Sequence, residues 1–565
     1  RATNARLAGL VTYLAIPLPY DAIARGRWGG LLMWAAAPWI VRLLVRAIGD
    51  VPFDAARRPR SRLRTIVAFG LLLAVLAAFV PFAAVVVPLV ALALALGGVL
   101  VGQWRGSSGA LVTALGATAV AVVAHLPWAL GFVTTGTHWS AIGGVRSESA
   151  PLGIADILRF HTGPLGGGPV GFVFLVVAAL PLVIGRDWRL AWATRAWTLA
   201  LACWSLVWVG QQSWFKFALG PPEALLAPAA AALALSAALG VVAFEVDLRG
   251  YRFGWRQVAP LVTGFALALG IVPVLGSIFG GRWNAPDESF APVLTFLHDD
   301  QAAAGPFRTV WIGDPDVLPA AGWRLDDGVE YAVSDHGLPT VEDRWAAPSE
   351  GPTHLLADAL RLAEHRETSR LGRLLAPMGI RYLVVQAESA PGSDDVRPIA
   401  PDVERALAEQ LDLQEVLVDP TLHVYRNAAF APLRTELTSA AASAAANPSY
   451  FDAASAAALD LGNAPPLLTD HSGYTYAKGA VNAGSTMYLA SGSSQWSLSV
   501  AGHDAPRTTA FGWANAFRID QGGTATLSFK TPITRYALLF VQVAIWFVLL
   551  RALWQWRRDD KASSS

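Results

Sequence analysis

An apolar run long enough to cross a bilayer leaves a chain few choices, because backbone groups in hydrocarbon must find their partners within a helix or a closed barrel. A spanning helix needs about 20 mostly apolar residues. Runs of suitable length occur at 30–47, 65–81, 83–102, 110–132, 169–185, 196–213, 222–244, 258–279 and 534–553. A shorter run at 7–19 reads as a further helix with Pro17 and Pro19 at its outer end. The stretch 65–102 is too long for one crossing and divides at Pro81, whose missing N–H favours a break. The expectation is a polytopic α-helical membrane domain of about ten transmembrane helices. Hydrophobic residues fill 54% of 565 positions and charged residues only 15%, well under the roughly 25% charge of a soluble chain.

Loop charges orient the helices. With 48–64 placed in the cytoplasm, the inner loops hold Arg57, Arg58, Arg60, Arg62, Arg64, Arg105, Arg186, Arg189, Arg195, Arg249, Arg252, Arg256, Arg557, Arg558 and Lys561. The outer loops hold Arg25, Arg27, Arg146, Arg159 and Lys216, fifteen cations against five. That is the positive-inside pattern of a multi-pass plasma-membrane protein. It places residues 280–533 outside the cytoplasm and the C-terminus inside it.

After Phe279 the texture changes, and no spanning run recurs until 534. Thr309–Gly313 and Tyr382–Gln386 read as buried strands, with helix-spaced leucines over Thr353–Leu375 interrupted by Glu364, Arg366 and Glu367. Leu413–Val418 and Leu422–Asn427 flank an Asp419-Pro420 turn. From 480, alternating runs separated by turn residues predict an antiparallel β-sandwich-like domain. The expected order is a transmembrane domain at 1–279, an exported α/β domain at 280–430 and an Ala/Ser-rich connector at 431–480. An exported β-rich domain at 481–532, a C-terminal transmembrane helix at 533–556 and a cytoplasmic tail at 557–565 complete it. The single cysteine, Cys203, excludes an intrachain disulfide, and a net charge of +1 gives no hint of nucleic acid.

Soluble catalytic signatures are absent: there is no Gly-x-Ser-x-Gly elbow, P-loop or His-Glu-x-x-His helix. Asp314-Pro-Asp316 has the spacing of a metal motif but reads as a turn, and Gly166-Gly167-Gly168 reads as a loop or a phosphate cradle. No cofactor is evident, although a divalent metal stays open. Ionisable groups near membrane depth point to a cavity or a substrate, and three outer segments supply them. Asp21, Arg25, Arg27 and Trp28 form the first. His138, Trp139, Arg146, Glu148, Asp156, Arg159 and His161 form the second, and Gln211, Gln212, Trp214, Lys216 and Glu223 the third. Asp21, Glu148 and His161 are candidate catalytic groups, because a carboxylate or imidazole can take a proton. Arg25, Arg27, Arg146, Arg159, Lys216, Trp139 and Trp214 are candidate substrate-binding groups. The same residue types also serve as interfacial anchors. His125 reads as an interhelical hydrogen-bonding residue, and Tyr488, Trp496 and Trp513 as β-domain core or a sugar-stacking platform.

Several stretches resemble a known group. Ile16-Pro-Leu-Pro-Tyr-Asp-Ala-Ile-Ala-Arg-Gly-Arg-Trp28 and Ala35-Ala-Ala-Pro-Trp39 resemble the membrane region of actinobacterial cell-envelope glycosyltransferases. Gly379–Val385, Leu422–Asn427, Ser494–Asp504 and Ala510–Phe517 resemble parts of exported domains in GT-C-like membrane glycosylation proteins. The resemblance implies sugar transfer from a polyprenyl-phosphate donor to an envelope polysaccharide acceptor, amid membrane lipids. The chain starts at Arg1 within helix-like sequence, so it is expected to be a fragment, with a GT-C carboxylate loop or a family 2 domain upstream. A lipid-linked glycan flippase and a non-catalytic envelope-assembly scaffold are the alternative readings.

Overall fold

A computed structural model describes residues 2–53, 62–104, 106–131, 139–144, 151–212, 214, 218–247, 255–279, 283, 285–335, 338–340, 343, 352–393, 396–399, 401–419, 421–446, 459–462, 464–473 and 475–562. The chain divides into a helical unit, comprising residues 1–146, 151–285 and 537–565, and a β-rich unit built mainly from residues 286–536.

The helical unit opens with α1 (Ala2–Ala15), α2 (Leu18–Ala24), α3 (Trp28–Ile48), α4 (Arg62–Phe79), α5 (Ala83–Leu100) and α6 (Ser107–Ala124). Short helices α7 (Ser140–Gly143) and α8 (Ile154–Arg159) precede α9 (Val173–Ile184), α10 (Asp187–Gly210), α11 (Pro222–Asp247) and α12 (Trp255–Phe279). A C-terminal helix, Ile533–Ala562, belongs to the same unit. Eight helices among the described residues are long and apolar enough to cross a membrane. The run expected at 169–185 forms a shorter apolar helix, and the one at 196–213 overlaps α10 up to Gly210, a helix whose first half carries Asp187, Arg189 and Arg195. Proline sets the breaks: Pro81 separates α4 from α5, and Pro17 with Pro19 separates α1 from α2.

Helices approach closely where side chains are smallest. A Cβ on Gly70 would lie 2.5 Å from the Val120 Cβ, and one on Gly97 would lie 2.7 Å from the Arg195 Cα. Alanine-rich α11 is buried along most of its length. His125 bonds the Ala74 carbonyl at 2.9 Å, joining the end of α6 to α4.

Polar contacts gather where the connections meet. At one end Arg195 donates to Asp50 at 2.6 Å and to the Gln103 carbonyl at 3.0 Å, while Trp192 donates to the Val51 carbonyl. Arg189 pairs with Asp247 there. At the opposite end Asp21 meets Thr162 and Leu165, and Leu152 meets Gln211.

In the β-rich unit, α13 (Phe296–Ala304) leads into a six-stranded sheet ordered β2-β3-β1-β4-β6-β5. Its strands are β1 (Arg308–Gly313), β2 (Trp323–Asp326), β3 (Val329–Ser334), β4 (Ile380–Gln386), β5 (Leu413–Asp419) and β6 (Leu422–Asn427). Only β1 and β4 pair in parallel. One face packs against α14 (Pro352–Glu364), α15 (Leu371–Leu375) and α16 (Pro401–Ala408), with Leu360, Leu374 and Leu407 in that core. The other face packs against α13 through Leu297, with Trp311 and Val384 from the sheet. The leucine pattern over Thr353–Leu375 forms two helices, and Arg366 adopts φ +59° at the break.

The β region begins well before 481. Segment 431–480, expected to be a connector, contributes β7 (Arg434–Leu437), β8 (Asp470–Ser472) and β9 (Tyr476–Val481), with α17 (Ser439–Ala445) between β7 and β8. Its Ala/Ser-rich composition conceals strands because few of their side chains carry the apolar alternation of a sheet. They join β10 (Thr486–Leu489), β11 (Trp496–Val500), β12 (His503–Asp504), β13 (Arg507–Ala510), β14 (Ala514–Arg518) and β15 (Gly523–Phe529). Two antiparallel sheets result, β13-β14-β10-β7 and β12-β11-β15-β9-β8. Met487 and Phe517 from the first share a core with Leu498 and Leu527 from the second.

Asn427, at the end of β6, knits three segments together from a fully buried site. Its amide donates to the Gly372 and Ile380 carbonyls at 2.9 Å each and accepts from the Ala429 N–H at 2.9 Å. Asn427→Ala is expected to destabilise the β-rich unit by about 3 kcal/mol, three bonds at about 1 kcal/mol each. Thermal unfolding of the full chain should show the loss, and an unchanged transition would contradict it.

Candidate functional site

The end of the bundle bearing α2 is built around a buried carboxylate. Proline at 17 and 19 presets the start of α2, which places Asp21 in its first turn with no exposed surface. Its two oxygens accept the backbone N–H of Thr162 at 3.0 Å and of Leu165 at 2.8 Å. Gly163 makes this approach feasible, since a Cβ there would sit 2.7 Å from the Asp21 Cβ. Asp21 therefore fixes the loop after α8; its oxygens face backbone donors, not open space.

That loop carries the chemistry. Helix α8 ends at Phe160, buried with φ +59°, and the turn brings His161 back over Asp156. The Asp156 Oδ1 lies 3.0 Å from His161 Nδ1 and also accepts from Arg159. Arg159 further donates to the Ala155 carbonyl at 3.2 Å and the Gly168 carbonyl at 2.9 Å. Its guanidinium thus staples the Gly166–Gly168 turn, where both end glycines have positive φ. Partial burial works to raise the Asp156 pKa, but His161 and Arg159 outweigh it and hold the carboxyl below the usual range. A carboxylate at Nδ1 places the proton on that nitrogen and leaves Nε2 as the basic atom.

Neighbouring segments close around this loop. Arg27 pairs with Glu223, which is buried at the start of α11. Gln211 accepts the Leu152 N–H. Trp139 donates to the Ala218 carbonyl and stands edge-on to Phe82. Tyr20 stacks on Trp283 with centroids 4.4 Å apart. Trp28 and Trp214 are exposed, and Trp214 lies edge-on to Trp208. Arg25, half-buried, follows Asp21 by one helical turn.

The structure therefore brings Asp21, Arg27, Trp139, Arg159 and His161 to one end of the helical unit. Arg146, Glu148, Lys216 and His138 lie outside the described residues. Asp156 and Glu223, which the sequence placed in the cluster without a role, hold two of its cations. The signal for Asp156 was its spacing: three residues before Arg159 and five before His161, across a helix that reverses. No set of residues suited to a metal ion occurs among the described residues. In the β-rich unit Tyr488 is fully buried and donates to the Pro377 carbonyl, so it belongs to the core. No protein-family model, curated protein or solved structure matches this chain.

The sign of the Asp156 shift sets a pH window. A carboxyl held below its unfolded value of about 3.9 contributes stability at every pH above that value and loses it only as pH falls through the lower, folded one. Amide exchange across 154–162, corrected for intrinsic rates, should thus stay slow from neutral pH down to about pH 4 and quicken only below it. Asp156→Asn should exchange quickly throughout. Exchange in Asp156→Asn as slow as in the wild-type protein would show that Asp156 does not govern the loop.

Proposed function

We propose that this chain is a multi-pass protein of the bacterial plasma membrane, with residues 280–533 extracytoplasmic and the C-terminus cytoplasmic. In this reading, the end carrying Asp156 and His161 transfers sugar from a polyprenyl-phosphate carrier to an envelope glycan. Eight long apolar helices support membrane insertion, and the gathering of inner-loop and outer-loop contacts at opposite ends supports the alternation. The observation that carries the transfer reading is the Asp156–His161 pair, 3.0 Å apart and only partly buried, on a loop fixed by Asp21.

The chemistry follows from this geometry. Asp156 orients the imidazole and stabilises its protonated form, so Nε2 can take the proton of an acceptor hydroxyl. The acceptor oxygen then bonds the anomeric carbon as its bond to the carrier phosphate breaks, and the electron pair leaves with polyprenyl phosphate. Arg25 supplies positive charge for that anion, while Arg27 is held by Glu223. Trp28 and Trp214 offer amphipathic surfaces at the depth where an isoprenoid meets water.

His161→Gln should lower sugar transfer by the 10²–10⁴-fold associated with a general base. Asp156→Asn should lower kcat with little change in KM. Purified protein with a synthetic polyprenyl-phosphate sugar measures both; wild-type rates in the two variants would remove His161 from the reaction. Orientation is checked separately. Leu417 is 93% exposed, so Leu417→Cys in a Cys203→Ser background should react with a membrane-impermeant maleimide on intact cells. Labelling only after permeabilisation would invert the topology.

A further inference from the structure

The C-terminal helix, Ile533–Ala562, carries two kinds of exposed surface in sequence order. Trp546 donates to the Ala124 carbonyl at the end of α6, and Arg64, in the first turn of α4, donates to the Trp556 carbonyl at 3.5 Å. These two contacts lay the helix along the bundle and bring its residues 551–558 beside the start of α4. On the way there, Phe547, Val548 and Leu550 are exposed by 62%, 63% and 52%. They form a strip of apolar surface on the outside of the helical unit.

The strip ends in cations. Arg551 and Arg558 on this helix and Arg62 on α4 are exposed, and none of the three pairs with a carboxylate among the described residues. The Arg558 guanidinium lies 4.5 Å from the ring centroid of exposed Trp554, and exposed Leu63 follows Arg62. A Cβ on Gly109 would lie 2.6 Å from the Ala47 carbonyl oxygen and 3.8 Å from Arg62 Nη2, so Arg62 stands beside the end of α3 that leads to Asp50. Two carboxylates at this end of the bundle are already taken, Asp50 by Arg195 and Asp247 by Arg189. The surrounding sequence keeps the same sign, with nine arginine or lysine residues against three aspartates over 54–64 and 551–561. Apolar surface running into uncompensated cations beside an indole is the complement of an acidic amphiphile. A polynucleotide or an acidic peptide would answer the charge and leave Phe547, Val548 and Leu550 uncovered.

We propose that this face binds an acidic phospholipid, its phosphate among Arg62, Arg551 and Arg558 and an acyl chain along Phe547, Val548 and Leu550. The inference rests on the membrane insertion proposed above and adds a headgroup class with the residues that select it. A guanidinium presents paired N–H donors that match phosphate oxygens. An anionic leaflet attracts basic side chains held near its surface, and the attraction fades within a Debye length. Trp554 lies between charge and hydrocarbon, the depth at which tryptophan is enriched. Arg64 has a different task, because its bond to the Trp556 carbonyl fixes the helix end against α4.

Gln555 is exposed between the two helix arginines, so Gln555→Cys in a Cys203→Ser background gives a site for a bimane label on the full chain. In phosphatidylcholine vesicles, 5-doxyl-phosphatidylglycerol should quench the label about threefold more effectively than 5-doxyl-phosphatidylcholine at equal mole fraction. High salt should weaken that preference. Combining Arg62→Gln, Arg551→Gln and Arg558→Gln should abolish it while quenching by the choline lipid persists, which shows the helix end still in place. Arg405→Gln, which removes an exposed cation of the β-rich unit, should leave the preference unchanged. Equal quenching by the two lipids, a preference that survives the triple change, or one lost equally in Arg405→Gln overturns the proposal and leaves membrane insertion standing. Quenching by neither lipid removes the membrane reading and this proposal with it. Binding of polyuridylate in detergent, with no preference between the lipids, also overturns it by making the face a polynucleotide surface.

Discussion

The geometry at one end of the helical unit depends on one buried carboxylate. Asp21 has no exposed surface and holds the backbone of a loop more than a hundred residues away at Thr162 and Leu165. A carboxyl so placed is tolerable only when its oxygens are met by donors, and here the donors are the main-chain N–H groups of Thr162 and Leu165. The interaction fixes Phe160 in its left-handed conformation above Trp204 and sets His161 beside Asp156. Replacing Asp21 would release the backbone that determines which way the imidazole faces, without touching the imidazole itself.

The helical unit was legible because apolar length and proline position act locally. Pro81 and the Pro17–Pro19 pair fall at the breaks they predict. Strands Thr309–Gly313 and Tyr382–Gln386 were legible for a related reason, since buried strands need near-continuous apolar sequence. Strands β2, β8 and β9 were not. Exposed Asp470–Ser472 has no apolar alternation to reveal it, and its pairing with Tyr476–Lys478 is set by a partner strand. Residues 196–213 were read as a helix in isolation, whereas α10 begins at Asp187 because Arg189 and Arg195 find Asp247 and Asp50.

The same distinction applies to the candidate site. Counting crossings grouped the Asp21 and His161 segments, and the bonds from Thr162 and Leu165 to Asp21 bring those two segments together. Counting could not assign roles, because those come from distances: Arg159 faces carbonyls of its own loop, and Asp21 faces backbone.

The C-terminal helix touches the bundle through a narrow seam. Trp546 donates to the Ala124 carbonyl at 2.8 Å, and Trp128 donates to Gln542 at 2.8 Å. The end of α6 and the tryptophan that follows it therefore acquire partners more than four hundred residues downstream. During synthesis those groups leave the ribosome long before Gln542 and Trp546 exist. For that interval the α6 terminus must find other partners, and the helix Ile533–Ala562 replaces them once it is made.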